Sequence, residues 1–203
     1  MAALKLGVLG GTFDPPHLGH LVLAEHAREQ LGLDRVLWVP AGSPWRKAER
    51  EVSAVAQRAA MVRLAIAGHG AFELSTLEVD RAGPSYSVET LQALHDASPA
   101  DGLYFIVGLD ALRDLPGWHE PARLIELATL AVAARSGERP GEADLERLLL
   151  GLAKRVVWIE MPRLDISGTD LRRRAGVGRS LRYLVPDAVE AYIREQGLYR
   201  TAG

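Results

Sequence analysis

Two hydrophobic periods alternate along this chain. Short apolar runs, "LKLGVLGG" (residues 4–11) and "DRVLWVPAG" (34–42), end in glycine, and between them Leu21, Ala24, Ala27 and Leu31 recur at helical spacing until Gly32 stops the pattern. That is one β-α-β unit. The alternation continues with a helix expected over about 53–67, a strand-rich "AFELSTLEVD" (71–80), a helix over about 87–96 and the strand "GLYFIVG" (102–108). "TLAVAAR" (129–135) and "RVVWIEM" (155–161) follow with helical segments between, while "ARSGERPGEAD" (134–144) reads as a surface loop. Strands alternating with helices predict an α/β protein with a doubly wound, mostly parallel sheet, helices on both faces and a small C-terminal helical part from about residue 166.

In such sheets a ligand lies beyond the carboxyl ends of the strands, where strand order reverses. The residues that carry chemistry follow strands here: "GGTFDPPHLGH" (10–20), "PAGSPWRK" (40–47) and "GLDALRDLPGWH" (108–119). Gly10 and Gly11 lack a Cβ, which suits a tight turn and close approach to a ligand. Pro15 and Pro16 suit the first turn of a helix, which would put His17 and His20 three apart on one face of that turn. A helix start offers free N–H groups and a partial positive charge, so the two histidines extend an anion site, with phosphate the obvious anion. Two plain surface histidines or a metal site are the other readings. The metal reading is weak, because no carboxylate follows at helical spacing and His26, His69, His95 and His119 are scattered. The stretch also matches neither G-x-G-x-x-G nor the P-loop.

Composition narrows the partners. The chain has 203 residues, which is the size of one domain, residues 1–203, able to bury an internal site. With 24 Lys plus Arg against 26 Asp plus Glu there is no global basic field for nucleic acid, so an anionic ligand must be met locally. The absence of cysteine removes disulfides, thiolate metal sites and cysteine nucleophiles, and fits a reducing interior. No secretory signal or membrane-length apolar run is present, so a cytoplasmic, soluble protein is expected; self-association stays open.

"GGTFDPPHLGH" resembles the signature of the H-x-G-H nucleotidylyltransferases, and "ISGTDLRRR" (166–174) resembles their I-S-S/G-T-x-I/L-R element. Ser167 would cap a helix whose early turn holds Thr169, with Arg172 on the same side; at about 100° per residue Arg172, Arg173 and Arg174 cannot all face one way. Three further stretches are similar to bacterial nicotinate mononucleotide adenylyltransferases in particular: "GPSYSVETL" (83–91), "YFIVGLDALRDLPGWHEPARL" (104–124) and "YLVPDAVEAYIREQGLY" (183–199). Nearly the whole chain is covered. Two departures stand out: Trp45 replaces a histidine in "SPWRK", leaving either Arg46 or Lys47 as the cationic match, and Ser87 replaces a threonine.

The resemblance implies a Rossmann-like enzyme that joins ATP and nicotinate mononucleotide into nicotinate adenine dinucleotide and pyrophosphate, a step of NAD biosynthesis. It implies His17, His20 and Arg172 as the catalytic set. ATP would be held by Gly10, Gly11, Thr12, Phe13, His17, His20, Lys47, Gly108, Asp110, Ser167, Thr169 and Arg172, with Mg²⁺ bound mainly by the ATP phosphates and not by protein side chains. Asp110 is equally readable as the cap of the helix after "YFIVG". Ser85, Tyr86, Ser87, Trp118 and Arg46 would hold the mononucleotide, the indole stacking on the pyridine and backbone amides near 85–87 receiving its carboxylate. Competing readings are a phosphopantetheine adenylyltransferase, a cytidylyltransferase, a nucleotide-binding sensor without turnover and, last, a metal-dependent hydrolase.

Overall fold

The computed structural model describes residues 3–43, 52–134 and 138–200. Six parallel strands form one sheet in the order β3-β2-β1-β4-β5-β6: β1 (Lys5–Gly11), β2 (Arg35–Pro40), β3 (Phe72–Leu74), β4 (Gly102–Gly108), β5 (Thr129–Ala133) and β6 (Val156–Ile159). The order reverses between β1 and β4, which pair from Lys5 with Gly102 to Val8 with Phe105. Successive side chains of a strand point to opposite faces, and the sequence fills both. Val8, Phe105, Val107, Leu130 and Val132 face one core, and Leu9, Ile106 and Ala131 face the other. Helices α3 (Ser87–Ala97), α4 (Leu109–Asp114) and α5 (Pro121–Leu127) cover the first face through Val88, Leu91, Leu112 and Leu124. On the second, α1 (Leu18–Leu31) contributes Ala24 and Ala27, and α2 (Val55–Ala65) contributes Val62. A third, smaller core joins Met61 of α2 to the C-terminal helices α7 (Gly168–Gly176) and α8 (Asp187–Glu195) through Leu171, Val189 and Ile193.

The expected alternation is present, with local corrections. Gly32 ends α1 in the left-handed conformation, φ 60°, which glycine adopts without steric cost. The segment 71–80 yields only the three residues of β3, because after Leu74 the chain leaves the sheet and turns Glu78 inward. The loop expected over 134–144 is shortened by α6 (Glu142–Leu148); residues 135–137 lie outside the described part. No helix among the described residues is long and apolar enough to cross a membrane.

Candidate active site at the reversal of the sheet

A cavity of about 590 Å³ opens at the carboxyl ends of β1 and β4. Among the predicted site residues, Gly10, Gly11, Thr12, His20, Ser85, Tyr86, Ser87, Gly108, Asp110 and Trp118 line it. Stretches nearly 100 residues apart in sequence therefore form one wall, as the β1–β4 pairing requires.

The first loop differs in detail from the expectation. Gly10 and Gly11 are the last residues of β1 and not a turn; the reversal falls at Phe13, which takes φ 50° and is 2% exposed. A Cβ on Gly11 would lie 3.0 Å from the Phe13 ring, so the bare glycine is what lets that ring fold back. Phe13 accordingly lies beneath the cavity, edge-on to His20 at 5.1 Å and against Trp38 at 5.3 Å. Pro15 and Pro16 precede the helix, after a cis Asp14–Pro15 bond, and α1 begins at Leu18 with His17 as its N-cap. His17 is thus buried at the cap, where burial pushes its pKa down to about 4, so the ring is neutral. His20 sits three residues later, its ring stacked on His17 at 3.7 Å. The His17 N–H donates to His20 Nδ1 at 3.2 Å, the reach-back of a capping box made by a histidine. Since Nδ1 accepts, the proton of the neutral ring sits on Nε2.

The C-terminal element arrives at the back of this loop. Ser167 caps α7 as predicted, accepting from the Asp170 N–H at 3.2 Å. Arg172 lies on the same side as Thr169, donating from Nη2 to Thr169 Oγ1 at 3.3 Å and from Nη1 to the Asp14 carbonyl at 2.7 Å. Arg173 pairs instead with Asp170, and Arg174 with the Ser180 carbonyl. The three arginines do diverge. His17, Phe13, Ser167, Thr169 and Arg172 are not in the cavity wall itself; they flank it through the Asp14 loop. Arg46 and Lys47 lie outside the described residues.

At the opposite end, Tyr86 is the N-cap of α3 and Ser87 its first residue. The Ser85 N–H is taken by the Ser43 carbonyl at 2.9 Å, so the amide expected there is spent on the fold. Trp118 is half-buried, packed edge-on to Phe105 with centroids 6.0 Å apart, so the indole both joins the core and lines the cavity. Gly108, not Asp110, is the N-cap of α4, and the Asp110 side chain is fully exposed in the first turn, 3.6 Å from Arg113.

Several contributors were not foreseen. His119 lines the cavity and stacks on Tyr86 at 4.3 Å. Asp14 is buried, its carboxylate accepting from Tyr199 Oη at 2.7 Å and from the Ser53 N–H at 3.3 Å. Arg58, 2% exposed, spans three carbonyls: Ser53 at 2.9 Å, Thr12 at 3.0 Å and Gly42 at 3.1 Å. Glu78 is buried in the cavity wall and accepts from Thr90 Oγ1 at 2.7 Å. Among the described residues no group of three or more His, Cys, Asp or Glu could hold a metal ion.

Residues 8–174 match the family model described as Cytidylyltransferase-like. A protein of Roseiflexus sp. (strain RS-1) named probable nicotinate-nucleotide adenylyltransferase is 49% identical over 200 residues, covering 98% of this chain and all of that one. The protein of the same name in Synechococcus sp. (strain JA-3-3Ab) is 46% identical over 195 residues, covering 96% and 94%. Among solved structures, Plasmodium falciparum nicotinic acid mononucleotide adenylyltransferase complexed with NaAD has a TM-score of 0.78 at 18% identity, covering 97% of both chains, a likeness of fold. A structure of a putative nicotinate-nucleotide adenylyltransferase from Vibrio parahaemolyticus has a TM-score of 0.71 at 18% identity, covering 100% of this chain and 98% of that one.

Proposed function

This chain belongs to the cytidylyltransferase-like family, among its nicotinate-nucleotide adenylyltransferases, and from that premise we propose that it transfers the adenylyl group of ATP to nicotinate mononucleotide. The products are nicotinate adenine dinucleotide and pyrophosphate, which makes the reaction a step of NAD biosynthesis. The observation that carries the reading is that one cavity is lined both by a helix-start histidine, His20, and by the Tyr86–Ser87 helix start with Trp118. A histidine donor at one helix start and an indole beside another, lining one cavity, suit a site that takes two nucleotides.

A phosphate oxygen of the mononucleotide attacks the α-phosphorus of ATP, and the bond to the pyrophosphate oxygen breaks. A phosphate monoester is already ionised at neutral pH, so no general base is required; alignment and charge stabilisation supply the rate. His20, with its Nε2 proton, donates to the charge developing on the triphosphate. His17 takes part as a neutral ring, because its lowered pKa keeps it uncharged at working pH. Arg172 adds its fixed positive charge from α7 to the β and γ phosphates with Ser167 and Thr169, and either Arg46 or Lys47 adds a second cation. The backbone at Gly10–Phe13 and the pair Gly108 and Asp110 hold the adenosine, the exposed Asp110 carboxylate accepting from a ribose hydroxyl. Trp118 stacks on the pyridine, and the amides at the start of α3, Tyr86 and Ser87, receive its carboxylate.

Mg²⁺ is proposed to accompany ATP. When bound, the ion would be held mainly by the ATP phosphate oxygens and would neutralise part of the triphosphate charge. The cysteine-free composition suits a reducing compartment, and the cytoplasm is the setting proposed. The test is pyrophosphate release with ATP or CTP against nicotinate mononucleotide, nicotinamide mononucleotide, phosphopantetheine and glycerol phosphate. Turnover with ATP and nicotinate mononucleotide well above every other pair is expected; a preference for CTP or phosphopantetheine would overturn the assignment.

A further inference from the structure

The six buried polar or charged side chains among the described residues fall into two groups. Asp14, His17 and Arg58 serve the loop after β1; Glu78 and Ser85 line the cavity, with Thr90 bonded to Glu78 behind them. No step of the mechanism above uses the second group. Glu78 is 6% exposed yet contributes to the cavity wall. Its Oε1 accepts from Thr90 Oγ1 at 2.7 Å, and its carboxylate also bonds the Ser85 side chain. Ser85 Oγ accepts from the Ser43 N–H at 3.1 Å, so its own proton is the one directed at Glu78. An ionised carboxylate only accepts, and it therefore aims both hydroxyls inward. Ser85 immediately precedes the cap of α3, and Thr90 lies in that helix's first turn.

Burial pushes the Glu78 carboxyl above the usual range, with the Thr90 and Ser85 bonds opposing that push. An ionised carboxylate there does not serve stability at neutral pH, and a neutral isostere would fold at least as well. We infer that Glu78 is the positioning residue of the segment that reads the pyridine carboxylate: through Ser85 and Thr90 it holds the start of α3 in one orientation, so that the Tyr86 and Ser87 amides meet the substrate in fixed geometry. The inference rests on the reading that this part of the cavity takes nicotinate mononucleotide.

Glu78→Gln is the informative variant, because an amide accepts at one atom and donates at the other, forcing either Ser85 or Thr90 to turn. Its KM for nicotinate mononucleotide should rise about tenfold, and its preference for nicotinate over nicotinamide mononucleotide should fall by about the same factor, the size of one well-aimed charge-assisted bond. The KM for ATP should stay within about twofold and Tm should not fall. Thr90→Val, which removes one hydroxyl without changing shape, should move the same two quantities in the same direction by a smaller factor, and it decides the matter if Glu78→Gln does not fold. An unchanged KM for nicotinate mononucleotide, or equal losses toward both substrates with a lowered Tm, would overturn the inference while leaving the function standing. No turnover of nicotinate mononucleotide by the wild type would overturn both.

Discussion

His20 carries two separable duties, and substitution can divide them. Its Nδ1 accepts the His17 N–H at 3.2 Å, and stacking on His17 at 3.7 Å with the edge of Phe13 at 5.1 Å holds the ring so that Nε2 carries the donated proton. His20→Ala loses both atoms. Losing a donor to developing charge costs roughly 2.7–4 kcal/mol, or about 100- to 1000-fold in turnover. Losing the reach-back to the cap costs about 1 kcal/mol of stability, which in a chain of this length lowers Tm by about 2–4 °C. His20→Asn restores an acceptor oxygen near the position of Nδ1 and still lacks Nε2. Its Tm should therefore return close to the wild-type value while turnover stays about 100-fold down. The assay is steady-state pyrophosphate release at saturating ATP and nicotinate mononucleotide, beside thermal unfolding of the three proteins. A folded His20→Asn or His20→Ala enzyme with kcat within about fivefold of wild type would refute the phosphate role.

The remaining expectations use other residues. Arg172→Ala should cut kcat/KM for ATP by roughly 100-fold, whereas Arg174→Ala, whose guanidinium holds the Ser180 carbonyl at 3.0 Å, should cost Tm and little activity; equal kinetic losses in both would count against one phosphate-facing arginine. Trp118→Ala should raise KM for nicotinate and nicotinamide mononucleotides alike, by roughly tenfold, with their ratio nearly kept, since stacking does not distinguish acid from amide; an unaffected KM would confine the indole to its contact with Phe105. His17, with a folded pKa of about 4 against an ordinary 6.5, contributes stability that is complete above pH 6.5 and lost as pH falls toward 4, in total on the order of 3 kcal/mol. In His17→Asn, which offers a capping oxygen without a titrating ring, the fall of Tm between pH 7 and 4.5 should be shallower than in the wild type; parallel curves would show that His17 does not titrate as its burial demands.

What the sequence disclosed and what it hid divide along physical lines. Local signals were legible: helical spacing from Leu21 to Leu31 with Gly32 at its end, short apolar runs that mark strands of a sheet covered on both faces, and Ser167 as a cap that turns Arg172 toward the same side as Thr169. The topology followed from strands that alternate with helices. Features set by distant partners were not legible. Arg58 and Glu78 are charged residues within an expected helix and an expected strand-rich stretch, and nothing there marks them as buried; among the partners that hold them are Thr12, 46 residues from Arg58, and Thr90, 12 residues from Glu78. Phe13 hides for the opposite reason. A bulky residue at positive φ runs against local preference, and only the bare Gly11 and the rings of His20 and Trp38 explain why it is held there. The expected proline-started helix failed because His17, not a proline, closes the cap.

These hidden contacts have a common use that follows from the chemistry. A reaction without a general base depends on holding two anions in line, so the fold must order the loops that hold them before either arrives. Ordering costs backbone entropy, about 1–2 kcal/mol per residue, and exposed loop hydrogen bonds repay little of it. Buried charged groups that join several carbonyls or hydroxyls repay more, because leaving any one unpaired is expensive. Arg58 does this for the loop after β1 through the Thr12 carbonyl, and it ties that loop to Gly42 in the loop after β2. The Gly42 carbonyl accepts from Arg58 Nη2 at 3.1 Å, and a Cβ there would lie 2.0 Å from the Glu78 carbonyl oxygen. A residue with no side chain thus lets the loop after β2 pack directly against the backbone at Glu78, while Arg58 ties the same residue to the loop after β1.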